Sequence, residues 1–410
     1  MSIAHSADPK PRSGSAGSSG LVTTDLELFE EWDLNRAPCV YILGGYLAKY
    51  MYDFVVVGAG PPGSRFAYQA ASAGHDVLLL EKGEVGRPLA CSGHVSTDIW
   101  NYLPDGAQSE LLQNRISGAE FHVGGPSSSS YPFYKTDDIS HVIDRVELDK
   151  QLARRAEQAG ADLRVEHTVI DLEEHSDCVD VTVSTPTGEP MTISGRLVAG
   201  CDGPTSRVRR AAGLGEPAER LHGVLAFNDE PDDGDRVDVH LTAPTFFAWR
   251  IPRGDAGVEY GLAAPPGGEV PALFEKLTAA YDVDTTHFCS GSIPIGPPDS
   301  VTTDRIFLIG DAAAQTKPLT GGGILYSLTA ADIAAAAIDP TDPTTLNEYD
   351  TQWRNELATE IRLGKAIRRC YSLPESVQHI GLRALSGEIG VHMDKPTSFF
   401  SREHLKRLFS

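Results

Sequence analysis

YDFVVVGAGPPGSRFAYQAASAGHDVLLLEK, residues 52–82, decides the fold. Its continuous apolar run, Phe54 to Val57, fits a strand buried on both faces. Gly58-Ala59-Gly60-Pro61-Pro62-Gly63 follows as a G-x-G-x-x-G turn, then a small-residue helix over about Ser64 to Ala73. A second apolar run, Val77 to Leu80, ends on Glu81. In such a unit Gly58 permits a sharp turn, Gly60 clears the approach of a pyrophosphate, and Gly63 lets helix and strand pack closely. The helix start then turns backbone N–H groups and a positive dipole end toward the anion. Glu81 stands where the fingerprint places a partner for a ribose hydroxyl, and an acid there favours a free hydroxyl over a 2'-phosphate. The stretch predicts dinucleotide binding and leaves FAD and NAD both open.

The composition narrows what surrounds it. A chain of 410 residues, 41% hydrophobic, can bury a large core and is expected to form two interleaved domains. Its formal charge of -22 argues against a nucleic-acid partner. Only 10 of its 35 basic residues are Lys, a pattern that fits a salt-adapted, halophilic surface whose self-repulsion is screened. The six Cys (39, 91, 178, 201, 289 and 370) form no C-x-x-C pair, so reduced thiols in the cytoplasm are expected, with no metal site. No apolar run reaches the roughly 18 residues of a membrane span, and no signal peptide is expected.

Along the chain, residues 1–50 read as a disordered or appended extension, with a short helical piece LELFEEW and an apolar patch CVYILGGYLAKY before Met51. Residues 51–115, 141–220 and 297–345 are assigned to a discontinuous, Rossmann-type α/β cofactor domain. It includes a helical pattern up to about Leu112 and the helix VELDKQLARRAEQAG. Residues 116–140 and 221–296 are assigned to an interleaved antiparallel-sheet domain for the substrate, and 346–410 to a helical C-terminus.

Two further segments separate the cofactors. VAGCDGPTSRVRR ends an apolar strand at Asp202-Gly203, and IFLIGDAAAQTKPLTGGGI delivers Asp311 from a strand and Gly321-Gly322-Gly323-Ile324 into a helix. An acid after a strand can hold ribityl hydroxyls, and glycines opening a helix bring N–H dipoles beside a flavin ring. In this order the Gly fingerprint, the D-G segment and the G-D segment resemble the p-hydroxybenzoate-hydroxylase-like FAD proteins over residues 52 to about 340. The resemblance implies FAD as cofactor. It places Arg145 at the phosphate or ribose region, Val169 at the adenine-side strand, and Asp311, Gly322, Gly323 and Ile324 at the ribityl and ring parts. Pro62, Lys82, Cys91, Ser92, Gly93, Asp202 and Gly203 complete the implied cofactor contacts.

Within that group, PTFFAWRIP (244–252) is similar to the P-x-x-Y-x-W-x-F-P segment of geranylgeranyl reductases, with Phe247 in place of Tyr and Ile251 in place of Phe. LACSGHVS (89–96) resembles their Cys-containing loop, one residue closer to Glu81 than the family pattern. The resemblance implies reduction of isolated C=C bonds in geranylgeranyl chains of archaeal membrane phospholipids, with Phe247, Trp249 and Pro252 at the substrate. Cys91 and His94 become the catalytic candidates, and an isoprenoid lipid and an external electron donor, NAD(P)H or ferredoxin, the partners. Phe246, Phe247 and Trp249 are expected on one strand, walling an apolar pocket. From residue 361 onward nine Lys/Arg face four Asp/Glu, and SFFSREHLKRLFS mixes aromatic with basic residues, so peripheral contact with an anionic membrane is expected there. A flavin monooxygenase on the same scaffold and a non-enzymatic flavin- or lipid-binding protein are the rival readings.

Overall fold

The computed structural model describes residues 41–43, 46–48, 50–88, 91–267, 269–388 and 394–397. It divides into two units, Met1–Tyr50 and Met51–Ser410. In the first, β1 (Tyr41–Leu43) pairs antiparallel with β2 (Tyr46–Ala48). The predicted LELFEEW helix lies outside the described residues.

In the second unit β3 (Met51–Val57), α1 (Pro61–Ser72) and β4 (Val77–Leu80) form a βαβ unit with parallel strands. Val55, Val56, Leu78 and Leu79 are completely buried, as a strand covered on both faces demands. α1 begins at Pro61, earlier than the apolar pattern implied, because Pro presets a helical φ and lacks only an N–H that the first turn does not use.

Next come β5 (His94–Ser96), α2 (Ala107–Leu111), β6 (Leu112–Ile116), β7 (Gly118–His122), β8 (Ser130–Tyr134) and β9 (Ser140–Ile143). The helical pattern expected up to Leu112 is only a 3-10 turn over Thr97–Tyr102 and the five-residue α2. α3 (Arg145–Gln158) is capped by Asp144, whose side chain accepts the Glu147 N–H at 3.0 Å. β10 (Asp162–Arg164), β11 (Thr168–Glu174), β12 (Val179–Ser184), β13 (Pro190–Gly200) and α4 (Arg207–Ala211) follow. Then come β14 (Glu219–Asn228), β15 (Arg236–His240), β16 (Ala248–Pro252), β17 (Val258–Ala264), α5 (Glu269–Tyr281) and β18 (Thr286–Ile295). The chain returns through β19 (Ile306–Leu308) to α6 (Ile324–Ala337), α7 (Leu346–Arg368), α8 (Glu375–Leu385) and β20 (Gly387–Glu388).

Two large sheets result. The seven-stranded sheet runs β10-β4-β3-β13-β12-β11, with β19 also on β13, so β13 carries an antiparallel meander at one end and the parallel core at the other. Helices α1 and α6 cover its core, tied together by Asp332, which accepts Arg65 Nε at 2.6 Å and Gln69 Nε2 at 2.9 Å. Phe66 of α1 meets Phe54 and Phe307 edge-on at 5.1 and 5.3 Å. The eight-stranded sheet runs β18-β14-β17-β16-β15-β7-β8-β20, antiparallel except for the parallel pairs β15/β7 and β8/β20. α5 covers one of its faces with Val270, Phe274 and Leu277.

One expectation fails locally. Phe246 and Phe247 precede β16 in a turn, with Thr245 at φ 59, and their rings stack at 4.3 Å instead of alternating along a strand. Arg368, at the end of α7, pins this turn: its Nε donates to the Thr245 carbonyl at 3.0 Å and its guanidinium lies over the Phe246 ring. A long-range contact of this kind, from 123 residues away in sequence, overrides the period-two pattern.

Candidate active site

The three glycines of the fingerprint answer to different demands. Gly58 has φ 102, and a Cβ there would stand 2.5 Å from the Cys201 carbonyl oxygen; at Gly63 it would stand 1.9 Å from that of Gly58. Protein packing requires both. Apart from its chain neighbours, no atom of the described residues lies within 4 Å of a Cβ placed on Gly60, which opens into the large cavity described below. The expected row of helix-start donors is reduced, because Pro61 and Pro62 have no N–H and Ser64 N bonds the Gly60 carbonyl at 3.0 Å. The dipole and the Gly63 N–H remain.

Glu81 braces the turn from below, accepting Ala59 N at 2.9 Å and Gly83 N at 3.3 Å. His167 N donates to the Glu81 carbonyl at 2.9 Å, which sets the entry to β11 beside it, while the Val169 carbonyl accepts Arg207 Nη1 at 2.8 Å. Lys82 is exposed. Asp202 points back into its own segment: it accepts Ser206 Oγ at 2.5 Å and Arg207 N at 2.6 Å at the start of α4, whose cap is Ser206. The sequence expects Asp202 among the cofactor contacts; in the structure both of its carboxylate oxygens accept hydrogen bonds at the start of α4. Its neighbour Gly203, at φ 79, faces the cavity.

That cavity, about 790 Å³, is lined at one end by Gly60, Pro62, Cys91, Ser92, His94, Arg145, Gly203, Asp311 and the glycines 321–323. Arg145 is buried; its Nη2 donates to both Asp149 oxygens at 2.7 and 2.9 Å, and its Nε lacks a partner. Burial opposes its charge, yet Asp149 and the adjacent Cys91 outweigh that and hold it protonated. Burial pushes the Asp311 carboxyl up, countered by Thr316 Oγ1, which donates at 3.1 Å, and by Arg145. A Cβ on Gly323 would stand 2.8 Å from Asp311 Oδ1, so the acid and the uncapped start of α6 are pressed together. An orphan guanidinium N–H, an acceptor facing open space and a bare glycine cradle are what FAD would use.

The other end of the same cavity is apolar. Val237, Val239, Trp249 and Ile251 line it from the eight-stranded sheet, Phe246 and Phe247 from the turn before β16, and Leu382 and Leu385 from α8. Tyr371 closes this wall, edge-on to Phe247 at 5.7 Å with its hydroxyl donating to the Leu319 carbonyl at 3.1 Å. Pro252 ends β16 and is buried outside the lining. Cys91 and His94 both line this cavity. His94 Nε2 pairs with Ser140 Oγ at 2.7 Å, and burial, aided by the Lys317 charge, pushes its pKa down to about 4. The imidazole is therefore neutral at pH 7 and can pass on only its neutral N–H.

Sequence reasoning missed three groups. Arg209, completely buried, donates to the Ala312 carbonyl at 2.8 Å and the Pro204 carbonyl at 3.2 Å, clamping the D-G and G-D segments together. Lys317 forms a buried ion pair with Asp394, and Tyr326 OH donates to the Asp394 carbonyl at 2.8 Å. Arg253 and Glu259 form a third pair, in which the acid inside the apolar strand VEYGLAA was the available signal. The expected membrane-facing piece SFFSREHLKRLFS lies outside the described residues.

A family model for an FAD binding domain matches residues 51–232. The chain is 31% identical over 330 residues to the digeranylgeranylglycerophospholipid reductase of Methanocaldococcus jannaschii, covering 75% of this chain and 83% of the relative. It is 29% identical over 378 residues to digeranylgeranylglycerophospholipid reductase 2 of Methanothermobacter thermautotrophicus, covering 87% and 96%. The crystal structure of a geranylgeranyl bacteriochlorophyll reductase-like protein from Thermoplasma acidophilum superposes with a TM-score of 0.73 at 22% identity, over 88% of this chain and 96% of that one.

Two outcomes follow from this geometry. Gly60→Ala is expected to leave the melting temperature of the apoprotein unchanged and to weaken FAD binding at least about tenfold, whereas Gly63→Ala costs the fold about 3 kcal/mol by overpacking. Melting curves and flavin fluorescence titration separate the two. For His94, a folded-state pKa of about 4 against an ordinary 6.5 means that the unfolded chain binds the extra proton between those values. The stability of the wild type relative to His94→Gln should therefore rise from pH 4 to 6.5 and be level above, as read by urea denaturation across that range.

Proposed function

Because the chain belongs to the digeranylgeranylglycerophospholipid reductase family, we propose that it saturates isolated C=C bonds in the geranylgeranyl chains of a membrane phospholipid. The observation that carries this reading is the single cavity of about 790 Å³ whose polar end suits a flavin and whose apolar end suits a polyprenyl chain. An isolated trisubstituted alkene has no carbonyl to accept electron density, so saturation needs a hydride at one carbon and a proton at the other. FAD, bound at the polar end and reduced, supplies the hydride.

The protein does the rest. Gly60 would admit the pyrophosphate, the Arg145 guanidinium and the Asp311 carboxylate would hold the phosphate and hydroxyl parts, and the start of α6, with no side-chain cap, would offer its N–H groups to the ring. Phe247, Trp249 and Tyr371 align the chain and keep water from the reacting carbon. The Cys91 thiol, which lines the cavity beside Arg145, is the proton source. His94, neutral and paired with Ser140, supports that loop. Two electrons come from an external donor, NAD(P)H or a ferredoxin.

The lipid has to leave a bilayer to enter. Among the described residues no helix is long and apolar enough to cross a membrane. Exposed Val377 and Ile380 stand three apart on α8, Leu373 precedes it, and Val377 and Leu373 also line the cavity. Arg369 and Arg383 are exposed nearby in sequence, which suits peripheral contact with anionic headgroups.

Anaerobic reduction with dithionite in the presence of a geranylgeranyl phospholipid should give product masses heavier by two hydrogens per saturated bond; unchanged lipid beside a fully reduced flavin would remove the assigned reaction. Cys91→Ser should retain the flavin spectrum and slow turnover by about 100-fold, the lower range for a lost general acid. In vesicle flotation, Ile380→Asp and a chain lacking residues 396–410 should each float less with anionic vesicles than the intact protein, and equal flotation of all three would rule out the membrane contact.

A further inference from the structure

Arg253 follows directly on β16, and Glu259 is the second residue of β17. Both are buried, Glu259 at 0% exposure. Arg253 Nη1 donates to the Ser92 carbonyl at 2.6 Å and to Glu259 Oε2 at 3.1 Å, and its Nη2 donates to Gln113 Oε1 at 2.6 Å. The other Glu259 oxygen accepts the Trp249 indole N–H at 2.8 Å. A single ion pair therefore touches both the residue after Cys91 and the aromatic wall at the apolar end of the cavity. Neither partner lines that cavity.

Stability does not account for such a pair. Taking two charges out of water costs several kcal/mol per ion, and apolar residues of the same volume often serve as well or better. Burial pushes the Glu259 carboxyl up, and Arg253 and the Trp249 N–H work against that shift. What a guanidinium fork adds is direction, since its donors are fixed in one plane. The geometry around it is equally constrained. A Cβ on Gly254, at φ 62, would stand 2.5 Å from the Gln113 carbonyl oxygen, so the hairpin tip is pressed onto β6. On the far side of the Cys91 loop, Ile143 N donates to the Gly93 carbonyl at 3.0 Å, and a Cβ on Gly93 would stand 2.2 Å from the Ile143 carbonyl oxygen. The loop is gripped from both sides, by β9 and by Arg253.

Resting on the flavin-reductase reading, we propose that the Arg253–Glu259 pair is a positioning device that fixes the Cys91 thiol relative to the Trp249 indole, so that the alkene packed on one meets the proton of the other. Trp249 then acts as an apolar surface whose only polar atom is spent on Glu259, which frees it from any role in binding a headgroup.

The test is peptide-resolved alkylation of Cys91 by iodoacetamide in the FAD-loaded protein without lipid, with Cys178, which lies outside the cavity lining, as internal reference. Arg253→Lys keeps a charge opposite Glu259 and loses the fork, and Trp249→Phe removes the indole N–H together with part of the ring. The double variant Arg253→Met, Glu259→Met removes the pair and both charges. Each is expected to keep its flavin, and Cys91 labelling should change by about tenfold in Arg253→Lys and in the double variant, and less in Trp249→Phe, with Cys178 unaffected. Wild-type labelling of Cys91 in folded Arg253→Lys would overturn the proposal whatever the double variant does. Altered labelling in a protein that reduces no isoprenoid would sink the reaction and leave the positioning role standing.

Discussion

The close approach of α1 to the end of β3 governs the molecule. A side chain on Gly63 would collide with the Gly58 carbonyl, so only glycine lets the helix sit this near, and that nearness sets where the dipole and the bare Gly60 open. Once α1 is fixed, Arg65 and Gln69 hold Asp332 of α6, and α6 in turn carries the glycine loop that begins at Gly321. Arg209 ties the Ala312 carbonyl to the Pro204 carbonyl, which brings the remaining wall into place. The polar end of the cavity is thus a consequence of backbone packing, with few side chains committed to the ligand.

The apolar end obeys a different rule. It is made where the eight-stranded sheet, the stacked Phe246–Phe247 turn and α8 meet, and the described residues these elements contribute to the lining carry no charge. The charged groups lie behind the walls: Arg368 under the Phe246 ring and Glu259 behind Trp249. Buried charges used in this way shape a hydrophobic surface without entering it, which suits a substrate that offers no hydrogen bond at its reacting carbons.

The parts legible in the sequence were those set by local pattern. The apolar runs of β3 and β4, the amphipathic α3 and the G-D segment all read directly, because burial on both faces, helical period and a glycine-opened helix each leave a contiguous signature. At Asp202 the sequence shows only an acid after a strand; the hydrogen bonds it accepts from Ser206 and Arg207 leave no periodic signature. Phe246 and Phe247 were misplaced for a non-local reason, since the contact from Arg368 holds them in a turn. Arg253 and Asp394 act across 161 and 77 residues of chain, and no window of sequence contains such pairings.

The central claim is that flavin and polyprenyl chain share one uninterrupted cavity. It is tested most directly by titrating the oxidised, FAD-loaded protein with a fully saturated phytanyl phospholipid, which binds without reacting, while recording the flavin difference spectrum and, by calorimetry, the binding itself. A saturable shift of the flavin bands at the calorimetric stoichiometry is the expected result, because the chain would replace water against the ring. Calorimetric binding with an unperturbed flavin spectrum would place the lipid elsewhere and contradict the account.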